Sequence, residues 1–248
     1  MNKHILYSIL FFLLIINFKT VLSEENNSSF NIGSDLVSRY VFRGVDYGNS
    51  PSIQPFISYR INGFEVGYWG AFSISDFYKE IDFYLKYSVY GFTFVLSDYF
   101  VPSVTGVPAS KDTRYFVFDN KTTAHTFEFS LEYQLPQEFP LKLYGAVYFF
   151  GNDKYFGFDK DKDEKGENYY SSYFEIGYPL TVSENKLDIF LGLTPKAGAF
   201  GNSFGVVNLG VTGSKKIKLS NEFELPVKSS LIFNPQESIV HFVFGLSI

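Results

Sequence analysis

The feature that most constrains this chain is a strict period of two, kept over runs of about ten residues and repeated along most of its length. Between Glu80 and Tyr90, one face collects Ile81, Phe83, Leu85, Tyr87 and Val89, and the other Glu80, Asp82, Tyr84, Lys86 and Ser88. Phe127, Phe129, Leu131 and Tyr133 oppose Glu128, Ser130, Glu132 and Gln134 in the same way. Leu187, Ile189, Leu191 and Leu193 oppose Asp188, Phe190, Gly192 and Thr194, and Phe64, Val66 and Tyr68 oppose Glu65, Gly67 and Trp69. Successive side chains of a strand point to opposite faces, so each run is a strand with one apolar and one more polar side. No comparable stretch of helical period follows residue 23.

Alternation alone fits both a soluble antiparallel sheet and a barrel in lipid. Composition separates them, because 30 Phe and 19 Tyr, with only 19% charged residues, put large side chains on the apolar faces. Runs of about ten residues also match a tilted membrane strand better than the ~5–6 residues of a globular one. The expected fold is all-β, a closed antiparallel transmembrane barrel of about twelve strands. They are placed near 32–43, 52–61, 64–75, 80–90, 92–102, 123–135, 140–151, 169–181, 187–195, 203–213, 223–234 and 238–248. Asn62-Gly63, Gly91, Leu135–Pro140 and Val182–Asn185 read as short turns, while Ser103–Thr122 and Asn152–Asn168 read as long external loops. Gly91 and the Ser103–Thr122 loop are not reconciled with one alternation of sides, which keeps the strand count approximate. Tyr59, Phe64, Tyr87, Tyr133, Tyr178 and Phe223 fall on apolar faces near strand ends, where a membrane-interface belt belongs.

The amino terminus reads as an address. Lys3 and His4 precede an apolar run from Ile5 to Ile16, and Val21-Leu22-Ser23 supplies a small residue for cleavage, as in a secretory signal peptide spanning 1–23. Residues 24–30 read as a flexible mature start and 31–248 as the barrel, in a bacterial outer membrane with its lipid as partner. Val240, Phe242, Phe244, Leu246 and Ile248 alternate to the last residue, as a closing strand should, and form the segment expected to meet the barrel-assembly machinery.

The absence of cysteine excludes disulfide scaffolds, thiolate metal sites, cysteine nucleophiles and amino-terminal lipidation. A net charge of −5 gives no basic footprint for nucleic acid. The polar faces instead define an expected pore lining of Asp35, Arg39, Arg43, Gln54, Arg60, Glu65, Trp69, Glu80, Asp82, Lys86, Glu128, Glu132, Glu175 and Asp188. Lys142, Lys228, Glu222 and Glu224 extend the set, in which acids outnumber bases, so an open pore is expected to be weakly cation-selective. Asp35, Arg39 and Arg43 recur every four residues and on a strand would share a side. They fit a lumen salt-bridge ladder or an anion-binding patch, and the two are compatible.

Other constellations are weaker. Asp159, Asp161 and Asp163 have the spacing of a calcium loop, but Glu164 and Tyr170 stand where that loop needs glycine and a bidentate Glu, so the segment reads as a solvated loop. His125 lies near Asp112, Asp119 and Thr123 with no nucleophile elbow to single it out. No catalytic residue, metal or cofactor is therefore expected.

The opening segment Ser38-Arg39-Tyr40-Val41-Phe42-Arg43-Gly44, followed by Ser50-Pro51-Ser52-Ile53-Gln54, resembles the TorF-like porins, a family of small bacterial outer-membrane proteins. Tyr68–Ser73, Glu80–Tyr84, Tyr99–Pro102 and Tyr173–Leu180 resemble later blocks of that family, in order. The resemblance implies an outer-membrane barrel and a porin. The leading expectation is a passive channel for small hydrophilic solutes; a plugged barrel with a structural or surface-binding role comes second, and a surface hydrolase using His125 third.

Overall fold

In the computed structural model, residues 28–75, 77–102, 113–183, 185–221 and 223–248 are described. The expected signal peptide, Asp112 and Glu222 lie outside them. The chain forms β1 (Ser28–Val37), a hairpin of β2 (Tyr40–Phe42) and β3 (Val45–Tyr47), then β4 (Ser52–Ile61), β5 (Phe64–Ser73), β6 (Lys79–Val89) and β7 (Phe92–Phe100). It continues with β8 (His125–Gln134), β9 (Lys142–Gly151), a helix α1 (Lys160–Lys165), β10 (Ser172–Val182) and β11 (Asn185–Thr194), and ends with β12 (Gly205–Lys218), β13 (Glu224–Asn234) and β14 (Ile239–Ser247). Twelve of these strands close into an antiparallel barrel, and β2 with β3 forms a separate two-stranded sheet.

Local turn chemistry imposes the meander. Asn62 and Gly63 both have positive φ, as do Tyr90 and Gly91, giving the two-residue turns whose twist matches paired strands. These turns, with the 135–141, 183–184 and 219–223 connections and both termini of the wall, share one end of the barrel. The connections 38–51, 74–78, 101–124, 152–171, 195–204 and 235–238 share the other. Gly91 and the 101–124 loop thus fall at opposite ends, and one alternation accounts for every connection.

The wall is inverted in polarity relative to a soluble protein. Val66, Leu85, Ile176, Phe242 and Phe244 are exposed on its outside, whereas Gln54, Glu65, Glu80, Asp82, Glu128, Ser130, Asn208 and His241 are buried inside. Tyr59, Phe64, Tyr87, Tyr133, Tyr178 and Phe223 ring the short-turn end, with Phe64 against Tyr87 and Phe92 against Tyr133, each at 4.4 Å between centroids. Phe83, Tyr115, Phe118, Phe127 and Phe149 make a second aromatic band toward the long-loop end.

Three boundaries differ from the sequence reading. The first strand is not 32–43: it starts at Ser28, so residues 28–30 belong to the wall, and it ends at Val37. Beyond Ser38 the chain turns into the lumen. The strand expected at 203–213 runs on to Lys218, paired with Glu224 across the turn. The acidic and basic loop holds the short helix α1, because Asp159 caps its first turn by accepting from the Lys162 amide and Gly166 ends it in the left-handed conformation.

Closure is the thinnest joint. β1 aligns ten residues with β4 but only three with β14, Asp35, Leu36 and Val37 opposite Ser247, Leu246 and Gly245. Asp35 compensates by accepting from the Lys228 ammonium and from the Ser247 hydroxyl at 2.6 Å, tying β1 to β13 and β14. Asp35→Ala is expected to lower the barrel's unfolding free energy by about 1–3 kcal/mol, the usual cost of losing a charge-assisted bond. The midpoint of heat-modifiable gel migration in detergent measures it, and an unchanged midpoint would contradict the role assigned to the seam.

Candidate functional site

The hairpin β2–β3 decides what the lumen can do. Phe42 pairs with Val45 across a two-residue turn, Arg43-Gly44, with both residues at positive φ. Glycine adopts this shape freely, while an arginine there carries strain of about 1 kcal/mol. Contacts at the tip offset that cost. The Arg43 guanidinium forms a fork with Glu128 of β8, Nη1 to Oε2 at 2.5 Å and Nη2 to Oε1 at 2.9 Å, and Nη2 also donates to the Tyr144 hydroxyl at 2.6 Å. Tyr99 and Tyr144 donate their hydroxyls to the same Glu128 Oε1, at 3.0 and 3.2 Å. The guanidinium carbon lies 4.5, 5.4, 4.9 and 4.7 Å from the ring centroids of Phe42, Tyr144, Tyr173 and Phe200.

The arrangement is nearly dry: the Arg43 and Glu128 side chains expose 5% and 1% of their surface. Burial works against the Arg43 charge, and Glu128 outweighs it, holding the guanidinium well above its ordinary value. A buried pair of this kind is costly to break from one side, because the partner left behind has no water to replace the lost bonds.

The rest of the hairpin spans the lumen. Tyr40 packs on Trp69 of β5 at 5.2 Å and on Tyr78 at 6.0 Å, and Phe42 packs on Tyr99 of β7 at 6.2 Å. Burial, reinforced by Glu80, pushes the phenols of Tyr40, Tyr47 and Tyr78 upward, so they stay neutral, and Tyr78 donates to Glu80 at 2.7 Å. On the far wall Asn234 donates to the Gly44 carbonyl at 3.1 Å, and a Cβ on Gly44 would run into the Val207 carbonyl. The hairpin is thus wedged from β5 round to β13 by side chains, without a ladder to the wall.

The expected lining separates into pairs and leftovers. Arg60 and Lys86 both hold Glu65, Lys86 at 3.0 Å; Lys142 reaches Glu132 at 3.4 Å; Lys228 holds Asp35. Glu175 accepts from the Tyr173 hydroxyl and from Asn208 at 3.1 Å, and among the described residues neither it nor Asp188 has a cation within ion-pair distance. Glu80 and Asp82 are buried neighbours behind the hairpin, and Gln54 is buried near the seam. Below Trp69, toward the short-turn end, Asn31, Phe56, Arg60, Glu65 and Tyr84 line an open cavity of about 500 Å³.

No protein-family model matches this chain, and no curated protein does so. Its chemistry is therefore read from its own geometry.

One sequence reading is corrected. Arg39 and Arg43 do not share a strand side with Asp35, because the chain leaves the wall at Ser38: Arg39 pairs with Asp46 and Asn49 at the outer end, and Arg43 is consumed by Glu128. Arg39 and Arg43 therefore make no free basic patch among the described residues. His125 stands at the start of β8 beside the 101–124 connection, where the sequence placed it, on the outer face of the wall opposite Phe100 in the ladder. Its Nδ1 lies 2.7 Å from Asp98 Oδ1 and its Nε2 2.5 Å from the Tyr115 carbonyl, while Phe118 stacks on the ring at 4.4 Å. Both ring nitrogens are therefore engaged by groups of the wall and its loop, and neither is turned toward a free surface where a substrate would sit.

A second anchor went unread in the sequence. Lys154 is buried with its ammonium on the Gly151 carbonyl at 2.8 Å and on Asn120 and Asn168, joining the 113–124 and 152–171 segments. Burial lowers its pKa and raises that of the adjacent Asp153, whose carboxylate takes the Ser171 amide at 2.9 Å and the Ser171 hydroxyl. Lys154→Met is expected to free both loops at a cost of about 1–3 kcal/mol, since Asn168 and Asn120 lose their donor. Faster protease cleavage near Tyr155 with an unshifted barrel melting midpoint would be the sign; an uncleaved loop would count against it.

Proposed function

We propose that this chain is an exported outer-membrane barrel of the TorF-like porin kind, closed at rest by its first hairpin, which passes small hydrophilic solutes when the hairpin moves. The observation that carries this reading is the separate sheet of β2 and β3, which reaches across the lumen to β5, β8 and β13 yet shares no backbone ladder with the wall. Such a plug can leave without opening the barrel. The apolar outer face, the two aromatic bands and the sorting of short turns and long loops to opposite ends support a place in lipid, with the short turns in the periplasm. Outward alternation through Phe242 and Phe244 on β14 supports handling by barrel-assembly machinery.

Ion preference follows from the leftovers. Arg60, Lys86, Lys142 and Lys228 are already paired, while among the described residues Glu175 and Asp188 have no cation within ion-pair distance, and Glu128 joins them once Arg43 departs. The open lumen is therefore acidic and favours cations, modestly at physiological salt.

Planar-bilayer recording tests the reading. The wild type should show rare openings, and a chain with residues 40–47 replaced by a Gly-Ser linker should be open steadily and cation-selective. Silence of the excised form, with the barrel folded by gel migration, would replace the porin by a plugged structural barrel. The occupied nitrogens of His125 weigh against a hydrolase, and His125→Ala should leave conduction intact while loosening the 113–124 loop.

A further inference from the structure

The surroundings of Arg43 have a chemistry of their own. Remove the hairpin in thought and the wall keeps a buried carboxylate, Glu128, whose Oε1 is already oriented by the Tyr99 and Tyr144 hydroxyls. The rings of Tyr144, Tyr173 and Phe200 remain around it, two of them, Tyr173 and Phe200, among the most deeply buried side chains of the chain. These groups come from four successive strands, β7 to β10, and from the 195–204 loop, where the Gly198–Gly201 bridge sets Phe200.

We infer that this pocket is a guanidinium-binding site in the barrel wall, that Arg43 occupies it as an internal stand-in for a solute, and that the solutes it selects carry a guanidinium group. Three observations separate this from an ordinary buried ion pair. The fork onto Glu128 is two-pronged, a fit to a planar guanidinium that an ammonium cannot reproduce. Aromatic faces enclose the cation, which favours a weakly hydrated, flat ion over a compact, strongly hydrated one. Arg43 itself sits at positive φ beside Gly44, in a turn that asparagine or glycine would form with less strain. The hairpin therefore accepts a poor turn residue in order to place this one head group in this one pocket.

The mechanism needs no covalent step. A solute guanidinium arriving from the outer loops takes the carboxylate fork as Arg43 yields it, and the hairpin, losing its charged tether, is left with the Asn234 bond and the packing of Tyr40, Phe42 and Tyr47. Recognition and opening are then one event, an exchange of one guanidinium for another. This rests on the porin reading, but binding can be measured where conduction fails.

Arg43→Gly tests it, since glycine suits the turn and vacates the pocket. Methylguanidinium at millimolar concentration should raise the heat-modifiable midpoint of this variant in detergent, with an apparent affinity about tenfold above that of methylammonium. Adding Glu128→Gln should erase the difference. Arg43→Lys provides a second variant, expected to fold and to respond to methylguanidinium more weakly than Arg43→Gly because its own ammonium competes. Equal responses to methylguanidinium, methylammonium and sodium would overturn the proposal, as would a full response in the Glu128→Gln background. A specific response without any conductance would retain the binding site and reject the porin; conductance without a specific response would do the reverse.

Discussion

Glu128→Ala is expected to open the barrel. Arg43 then remains in a dry aromatic pocket with no counter-charge, and Tyr99 and Tyr144 lose their shared acceptor. Leaving one partner of a buried pair costs about 3–5 kcal/mol. Arginine is long and the hairpin has no ladder to the wall, so the cheapest relief is for the tip to leave. Open probability should rise by about two orders of magnitude, the equilibrium shift that ~3 kcal/mol produces. Arg43→Gly combined with Glu128→Ala should open the pore no further than either change alone, because both break one tether. Additive effects in that cycle would show that the hairpin is held mainly by Tyr40, Phe42 and Asn234.

The second large effect belongs to the outer face. Leu85 lies mid-strand on β6, half exposed and pointing outward. Leu85→Arg should cost about 2–4 kcal/mol in a bilayer, the range for a cation facing hydrocarbon at mid-depth. Asp188→Arg, on the inner face of β11 opposite Thr212, should leave stability within about 0.5 kcal/mol and weaken the cation preference. Urea titration of protein folded into vesicles measures the first, and reversal potential under a salt gradient the second. A neutral or stabilising Leu85→Arg would mean that water, not lipid, bathes the outside.

The wall was legible because its signal is repeated. Each strand such as Glu80–Ser88 is weak alone, but the alternation recurs with the same sense of polarity and is punctuated by turns such as Asn62-Gly63, so errors of one or two residues do not propagate. The hairpin was not legible for the opposite reason. Tyr40 and Phe42 keep the parity of Ile32 and Leu36, with Ser34 and Ser38 between them, and nothing in periodicity tells an outward aromatic from one folded into the lumen. The usable cue was Arg43-Gly44 between two short runs, Tyr40–Phe42 and Val45–Tyr47, which have hairpin symmetry despite an unusual first turn residue. His125 shows another limit: nothing in the sequence singled it out for chemistry, and nothing there foretold the clasp that Phe118, Tyr115 and Asp98 make of it on the outer wall.

The short seam between β1 and β14 has a bearing on the order of events during assembly. Every other joint in the barrel links strands that follow one another in the wall, so each can zip from its own turn with little entropy lost to loop closure. The seam alone brings together positions as distant as Asp35 and Ser247, and its ladder aligns three residues, flanked by the reciprocal Ser34–Ile248 backbone bonds and by Ser38 on Phe244. Closing the cylinder is thus expected to come last, and the hairpin, which enters through Ser38 directly above that joint, is expected to settle into the lumen as the cylinder completes. Ser38 joins the two, its amide on the Phe244 carbonyl at 2.8 Å and its hydroxyl accepting from the Phe244 amide at 3.0 Å. The chain therefore seals its own bore at the moment it acquires one.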